Sequence, residues 1–312
     1  MPTGSAADDT AAVEPTLRID ARVETVARQF ERRVARLGAH DVLLREIGRR
    51  LLERLDLVRL AVGHVLDVGC GLGRMRADLL TRYPQALWTG VERSMALARA
   101  GVAEQRRSQG LARWWRTAPR WIVADGARLP LGDGCADLLI SNLMLHWHPA
   151  PHQVFPEWKR VLRVDGLLMF SCFGPDTLKE LRHAAAQALP HAAPMPFVDM
   201  HDFGDMLVAS GFADPVMDVE TLRLTYGSAR ELLAEARALG ANPRSDRWPS
   251  LPSGRQARRL IAALDEQRDR DGRLALTFEV AYGHAWRPAP RERGQQAISV
   301  AALRDELSRR RR

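Results

Sequence analysis

The stretch Val65-Leu-Asp-Val-Gly-Cys-Gly-Leu-Gly-Arg74 constrains this chain more than any other. An apolar run (Val65, Leu66, Val68) carries Asp67 at its end, Gly69, Gly71 and Gly73 alternate, and Arg74-Met-Arg-Ala-Asp-Leu-Leu80 continues with the spacing of an amphipathic helix. The pattern is strand, glycine turn, helix. One glycine of such a turn takes positive φ, another lets a ligand approach the backbone, and a third lets helix and strand pack closely. The expectation is a nucleotide-type cofactor site; the plainer reading is a tight strand-to-helix turn. The spacing is G-x-G-x-G rather than the G-x-G-x-x-G of dinucleotide enzymes, and the lysine and hydroxyl of a P-loop are missing.

The following segments decide between these readings. Leu87–Val91 reads as a strand ending at Glu92, with Ser94 as N-cap of the next helix. Trp121–Ala124 leads to Asp125-Gly126, Ala136–Ile140 to Ser141-Asn142, and Gly166–Phe173 is a fifth apolar strand after a helix over 152–163. Alternation of strand and helix predicts an α/β, Rossmann-like, mostly parallel sheet with helices on both faces. Helices near 176–189 and 201–210 precede a strand over 216–226, a largely helical stretch over 228–270 and a last strand over 276–284. The two late strands finish the sheet, and the insertion at about 226–275 folds back as a lid. Ligands of such sheets bind outside the carboxyl ends of the strands. Asp67, Glu92, Asp125 and Asn142 therefore share one crevice. Glu92 is placed for two ribose hydroxyls, and Asp125 with the Gly126-Ala127 backbone for an adenine amine and ring nitrogen.

Outside this body (61–288), residues 1–16 lack periodicity and are expected to be disordered. Residues 17–60 form two charged helices, over 17–37 and 41–60, serving either as a solvated outer layer or as a cover over the cofactor mouth. Residues 289–312 form a basic tail. The net charge of +8 suggests an anionic partner, an inference diluted because Arg291, Arg293 and Arg309–Arg312 lie in that tail. The basic segment 105–119 could hold nucleic acid through arginine and tryptophan, or be a surface loop pinned by Trp114 or Trp115; nucleic acid is not the expected partner. Cys70, Cys135 and Cys172 have no C-x-x-C spacing, which points to a reducing compartment. No apolar run reaches the roughly 18 residues of a membrane span, and the acidic, small-residue start is unlike a signal peptide, so a cytoplasmic protein without membrane contact is expected. His146, His148 and His152 run through a Pro-containing loop, which does not favour a metal site. His146 and Trp147 instead suit an acceptor pocket beyond Asn142.

Asp67-Val-Gly-Cys-Gly-Leu-Gly73, Glu92, Asp125-Gly126 and Ser141-Asn-Leu143 resemble the class I S-adenosylmethionine-dependent methyltransferases over about 60–175. The resemblance implies seven strands, the last antiparallel. It implies S-adenosyl-L-methionine as cofactor, held by Asp67, Gly69, Cys70, Gly71, Gly73, Glu92, Arg93, Ser94, Asp125, Gly126, Ala127, Asn142 and Leu143, with no metal. A narrower resemblance, carried by Ser141-Asn-Leu-Met-Leu-His-Trp147, Glu157-Trp-Lys-Arg-Val-Leu162, Phe173-Gly-Pro-Asp-Thr-Leu-Lys-Glu-Leu-Arg182, Phe197-Val-Asp-Met-His-Asp202 and Leu239-Gly-Ala-Asn242, is to the malonyl-acyl-carrier-protein O-methyltransferases of biotin synthesis. That family implies methylation of the free carboxylate of a malonyl thioester on an acyl carrier protein. The same segments are similar to a mitochondrial assembly factor credited with arginine hydroxylation, and a methyltransferase for RNA or another small molecule is a further alternative. Family members commonly carry a tyrosine after the position of Phe30. It falls near Leu37 here, and no tyrosine precedes Tyr83. A malonyl carboxylate is already ionised at neutral pH, so no general base is needed. Lys179, Arg182 and Arg223 are candidates for holding its second oxygen, none of them assigned a catalytic step.

Overall fold

A computed structural model of the chain describes residues 23–32, 34, 41–109, 120–189, 196–239 and 253–290. The strands are β1 (His64–Val68), β2 (Leu87–Glu92), β3 (Arg120–Val123), β4 (Ala136–Asn142), β5 (Leu162–Phe173), β6 (Ala213–Tyr226) and β7 (Leu274–Trp286). They form one 7-stranded sheet in the order β3-β2-β1-β4-β5-β7-β6. β1 to β5 pair in parallel, and β7 runs antiparallel to both β5 and β6. The order reverses beside β1, which places a crevice at the carboxyl ends of β1 and β4. This is the expected Rossmann-like architecture.

Helices cover both faces because the central strands are apolar on both sides. Along β4, Leu138 and Ile140 enter one core and Leu139 the other. The first core holds α2 (Val42–Arg54), α3 (Arg76–Arg82), α6 (Lys179–Ala188), α8 (Ala229–Leu239) and α9 (Gly254–Asp265). The second holds α5 (Val154–Val161) and α7 (Met200–Ala209), with Phe155, Trp158, Phe170 and Phe203 fully buried. Two further helices are α1 (Val23–Glu31) and α4 (Met95–Gln109). Local chemistry sets the helix starts. Ser94 caps α4 by accepting from Leu97 N (3.3 Å), Asp199 caps α7 through His201 N (2.8 Å), and Ser253 with Gln256 forms a reciprocal capping box on α9.

α2 lies over the carboxyl end of the sheet. Leu43, Ile47 and Leu51 are at most 3 % exposed, and each contributes roughly 1.5–3 kcal/mol by burial. The ion pairs of Arg50 and Arg54 with Glu220 and Asp218 on β6 are partly exposed and contribute less, about 1 kcal/mol each or under. Apolar burial therefore docks α2, and the charges set its orientation. In the insertion between β6 and β7, α8 packs on β7 and α9 on α6. Residues 1–16, Leu37, Trp114, Trp115, the 240–242 part of the Leu239–Asn242 motif and 291–312 lie outside the described residues.

Candidate functional site

At the carboxyl ends of β1, β2 and β4 opens a cavity of about 1350 Å³. It exceeds the range of roughly 300–1000 Å³ usual for one small ligand, so a cofactor and part of a second molecule can share it. The glycine turn forms one wall. Gly69 has φ +73, and a Cβ there would stand 2.4 Å from Met144, so no other residue fits. Gly71 has φ +55 with nothing within 4 Å of a Cβ, leaving its backbone open to a ligand.

Asp67 lies on the cavity wall and is 1 % exposed, and neither carboxylate oxygen has a hydrogen-bond partner among the described residues. Burial pushes its pKa up to about 7; the Trp88 indole opposes the shift, outside hydrogen-bond geometry, and Glu92 adds to it. Glu92 accepts from Gly71 N at Oε2 (2.9 Å) and from Ser94 N at Oε1 (2.8 Å). Burial raises its pKa while the amides of Ser94, Gly71 and Arg93 oppose the rise. A carboxylate has about four acceptor positions, so acceptor capacity remains for a ribose hydroxyl.

Asp125 follows β3 and is held on three sides. Arg93 Nη1 donates to Oδ2 (2.5 Å), Ala127 N donates to Oδ1 (2.9 Å), and His148 Nε2 lies 3.5 Å from Oδ1. Although burial raises it, these partners, His148 first, bring its pKa down to about 2. Ala127 N–H is thus committed to the Asp125 side chain rather than offered to a ligand. Trp158 Nε1 fixes the turn by donating to Gly126 O (3.1 Å).

Asn142 lies on the wall too, yet its amide ties elements together. Nδ2 donates to Leu44 O of α2 (3.0 Å), and Oδ1 accepts from Ser171 Oγ (2.6 Å). Leu143 is left-handed, φ 56, held by its N–H donating to Ser171 O (3.0 Å). That strained turn at the cavity aims the next residues, Met144 to His148, along the wall. Cys70 is buried, which raises its thiol pKa and makes it an apolar wall rather than a nucleophile.

The remaining expected residues divide clearly. Gly73, Ser94 and Ala127 support the turn, the α4 cap and Asp125 without lining the cavity. His146 and Trp147 do line it. Lys179, Arg182 and Arg223 do not: Lys179 pairs with Asp176 (2.8 Å), Arg182 donates to Pro175 O, and Arg223 is exposed on the edge strand β6. Residues not named for the site from the sequence also contribute. Phe30 of α1 packs edge-on to Trp147 with centroids 5.1 Å apart, and Leu44 supplies both wall and carbonyl. Only the fold brings these to the strand ends. His148 stood out in the sequence only as one of three neighbouring histidines, weighed against a metal site, and not as a partner for Asp125.

Set together, the orphaned Asp67 carboxylate, the remaining acceptors of Glu92 and the open backbone at Gly71 fit an aminoacyl nucleoside with a diol. The fold and site define a class I S-adenosylmethionine-dependent methyltransferase, with S-adenosyl-L-methionine as methyl donor. Comparison with known proteins agrees: the family described as methyltransferase domain matches residues 66–170. The fold is shared with the YcgJ protein of Bacillus subtilis, at TM-score 0.54 and 13 % identity, covering 78 % of this chain and 99 % of that one. A malonyl-[acyl-carrier protein] O-methyltransferase of Laribacter hongkongensis is 45 % identical, covering 86 % of this chain and 90 % of the relative. One from Methylovorus sp. is 40 % identical over 91 % and 95 %. The chain belongs to the malonyl-[acyl-carrier protein] O-methyltransferase family.

Proposed function

We propose that this protein transfers a methyl group to the free carboxylate of a malonyl thioester carried on acyl carrier protein, an early step of biotin synthesis. The observation that carries the reading is identity of 45 % and 40 % to enzymes of that name, extending over nearly their full length. The cavity supports it, since Phe30, Trp147 and Phe173 line it together with the residues suited to the cofactor. S-adenosyl-L-methionine supplies an electrophilic methyl on a sulfonium, and the products are the methyl ester and S-adenosylhomocysteine.

The chain's own residues have a limited task. The Asp67 carboxylate neutralises the cofactor's ammonium, Glu92 holds its ribose, and Gly69 to Gly71 give its amino acid end close backbone contact. No side chain needs to accept a proton, because the nucleophile is already anionic. Rate comes from alignment and from excluding water around two opposite charges that are partly lost in the transition state. The aromatic wall, with Phe173 buried and Phe30 and Trp147 partly so, serves both. The chain should restore growth without biotin to a bacterium deleted for its own malonyl methyltransferase. No growth despite soluble, abundant protein would contradict the reading.

A further inference from the structure

Methyl transfer to a malonyl group requires something to hold the carboxylate oxygen that does not react, and an arginine is the obvious choice. Among the described residues lining the cavity, however, every arginine already faces a carboxylate. Arg45 pairs with Asp41, Arg49 with Glu46 and Glu53, Arg74 with Asp41 and Glu104, Arg82 with Asp56, and Arg93 with Asp125. A cation would also be poorly suited to the chemistry. Negative charge leaves the carboxylate as its oxygen binds the methyl, so a cation beside it stabilises the ground state more than the transition state.

His146 offers a different solution. Its ring is completely buried at the cavity wall among Trp147, Phe173 and Phe197, with ring centroids 5.0, 4.7 and 5.9 Å away. Phe173 N–H donates to Nδ1 (3.4 Å), so Nδ1 is unprotonated and the ring proton sits on Nε2. Nε2 has no partner among the described residues. A buried N–H left unpaired in a native protein calls for a partner that arrives later.

Resting on the proposed malonyl reaction, we infer that His146 is the substrate-positioning residue: its uncharged Nε2–H donates to the non-reacting oxygen of the malonyl carboxylate. The other oxygen is then free to form the O–CH₃ bond while the S–CH₃ bond breaks and its electron pair stays on sulfur. No proton moves, and His146 is unchanged at the end. Burial, which lowers its pKa to about 3, keeps the ring neutral throughout. The bond is no stronger in the transition state than in the ground state, so its effect belongs to binding of the malonyl group.

Two substitutions separate the hydrogen bond from the packing. His146→Met keeps the bulk and loses the donor; His146→Gln returns an N–H near the position of Nε2. With malonyl carrier protein, H146M should lower kcat/KM roughly 10- to 100-fold, mainly through KM for that substrate, with S-adenosylhomocysteine affinity unchanged. H146Q should recover most of the loss. Wild-type kinetics in H146M, or equal losses in both variants, would overturn the assignment. Should either variant not fold, wild-type protein decides by nitrogen NMR of labelled histidines: the buried ring should show Nε2–H that shifts when a non-hydrolysable malonyl carrier analogue joins the S-adenosylhomocysteine complex, and no shift overturns it. Absence of any ester from wild-type enzyme would instead refute the malonyl reaction itself.

Discussion

Asp67 carries the sharpest consequence at the scale of single residues. Its pKa of about 7 in the free protein lies far above the ordinary carboxylate value. The native state therefore holds a proton that the unfolded chain releases, and stability of the free protein falls as pH rises from about 4 to 7. A bound ammonium favours the ionised form, so binding below pH 7 must expel that proton. Affinity for S-adenosylhomocysteine should accordingly rise roughly eightfold between pH 6 and 7.5, measured by calorimetry, and D67N should flatten the dependence. Gly69→Ala places a methyl against Met144 at positive φ and should lower unfolding free energy by about 1–3 kcal/mol in urea titrations. Residues of this kind were legible because glycine spacing and strand-end carboxylates are local signals. The commitment of Asn142 to Leu44 O and of Ala127 N to Asp125 was not, since each depends on which atoms the folded chain brings within reach.

Elements were legible to the extent that their periodicity was strong. The β1 to β5 alternation and the cap at Ser94 follow from apolar runs and a hydroxyl residue, and β7 emerges from Leu276-Thr-Phe-Glu-Val-Ala-Tyr-Gly-His284. Strands extend past these runs, β5 back to Leu162 by pairing with Ala136 of β4 and β6 back to Ala213 by pairing with Trp286 of β7, partners that no local pattern reveals. The two readings of the N-terminal helices could not be separated in sequence, since both need one apolar stripe. In the fold α2 packs that stripe on the sheet and supplies cavity wall at once. Arg54 sits 3.7 Å over the Tyr282 ring and pairs with Asp218 and Glu220. R54M should destabilise the protein by roughly 1–2 kcal/mol and raise hydrogen exchange selectively in α2. Unchanged exchange there would mean that apolar contacts alone orient the helix.

On the scale of the whole molecule, the sheet brings residues far apart in sequence to one cavity lined by strand-end carboxylates and by the aromatic rings of Phe30, Trp147 and Phe173. The overall charge of +8 suits encounter with an acidic carrier protein. No helix among the described residues is long and apolar enough to cross a membrane. The lining beyond the strand-end carboxylates was the least legible part. Its walls come from α1, α2, the segment after β4 and the end of α8, which meet only in the fold, and the basic residues named from sequence face elsewhere. The proposed reaction places the methyl group on a free carboxylate at the end of a carrier-bound thioester. Intact-mass spectrometry of malonyl and acetyl carrier protein, each incubated with enzyme and S-adenosyl-L-methionine, tests it most directly. Malonyl carrier protein should gain the mass of one methylene as an alkali-labile ester and acetyl carrier protein none; no gain on the malonyl form, or an equal gain on both, contradicts it.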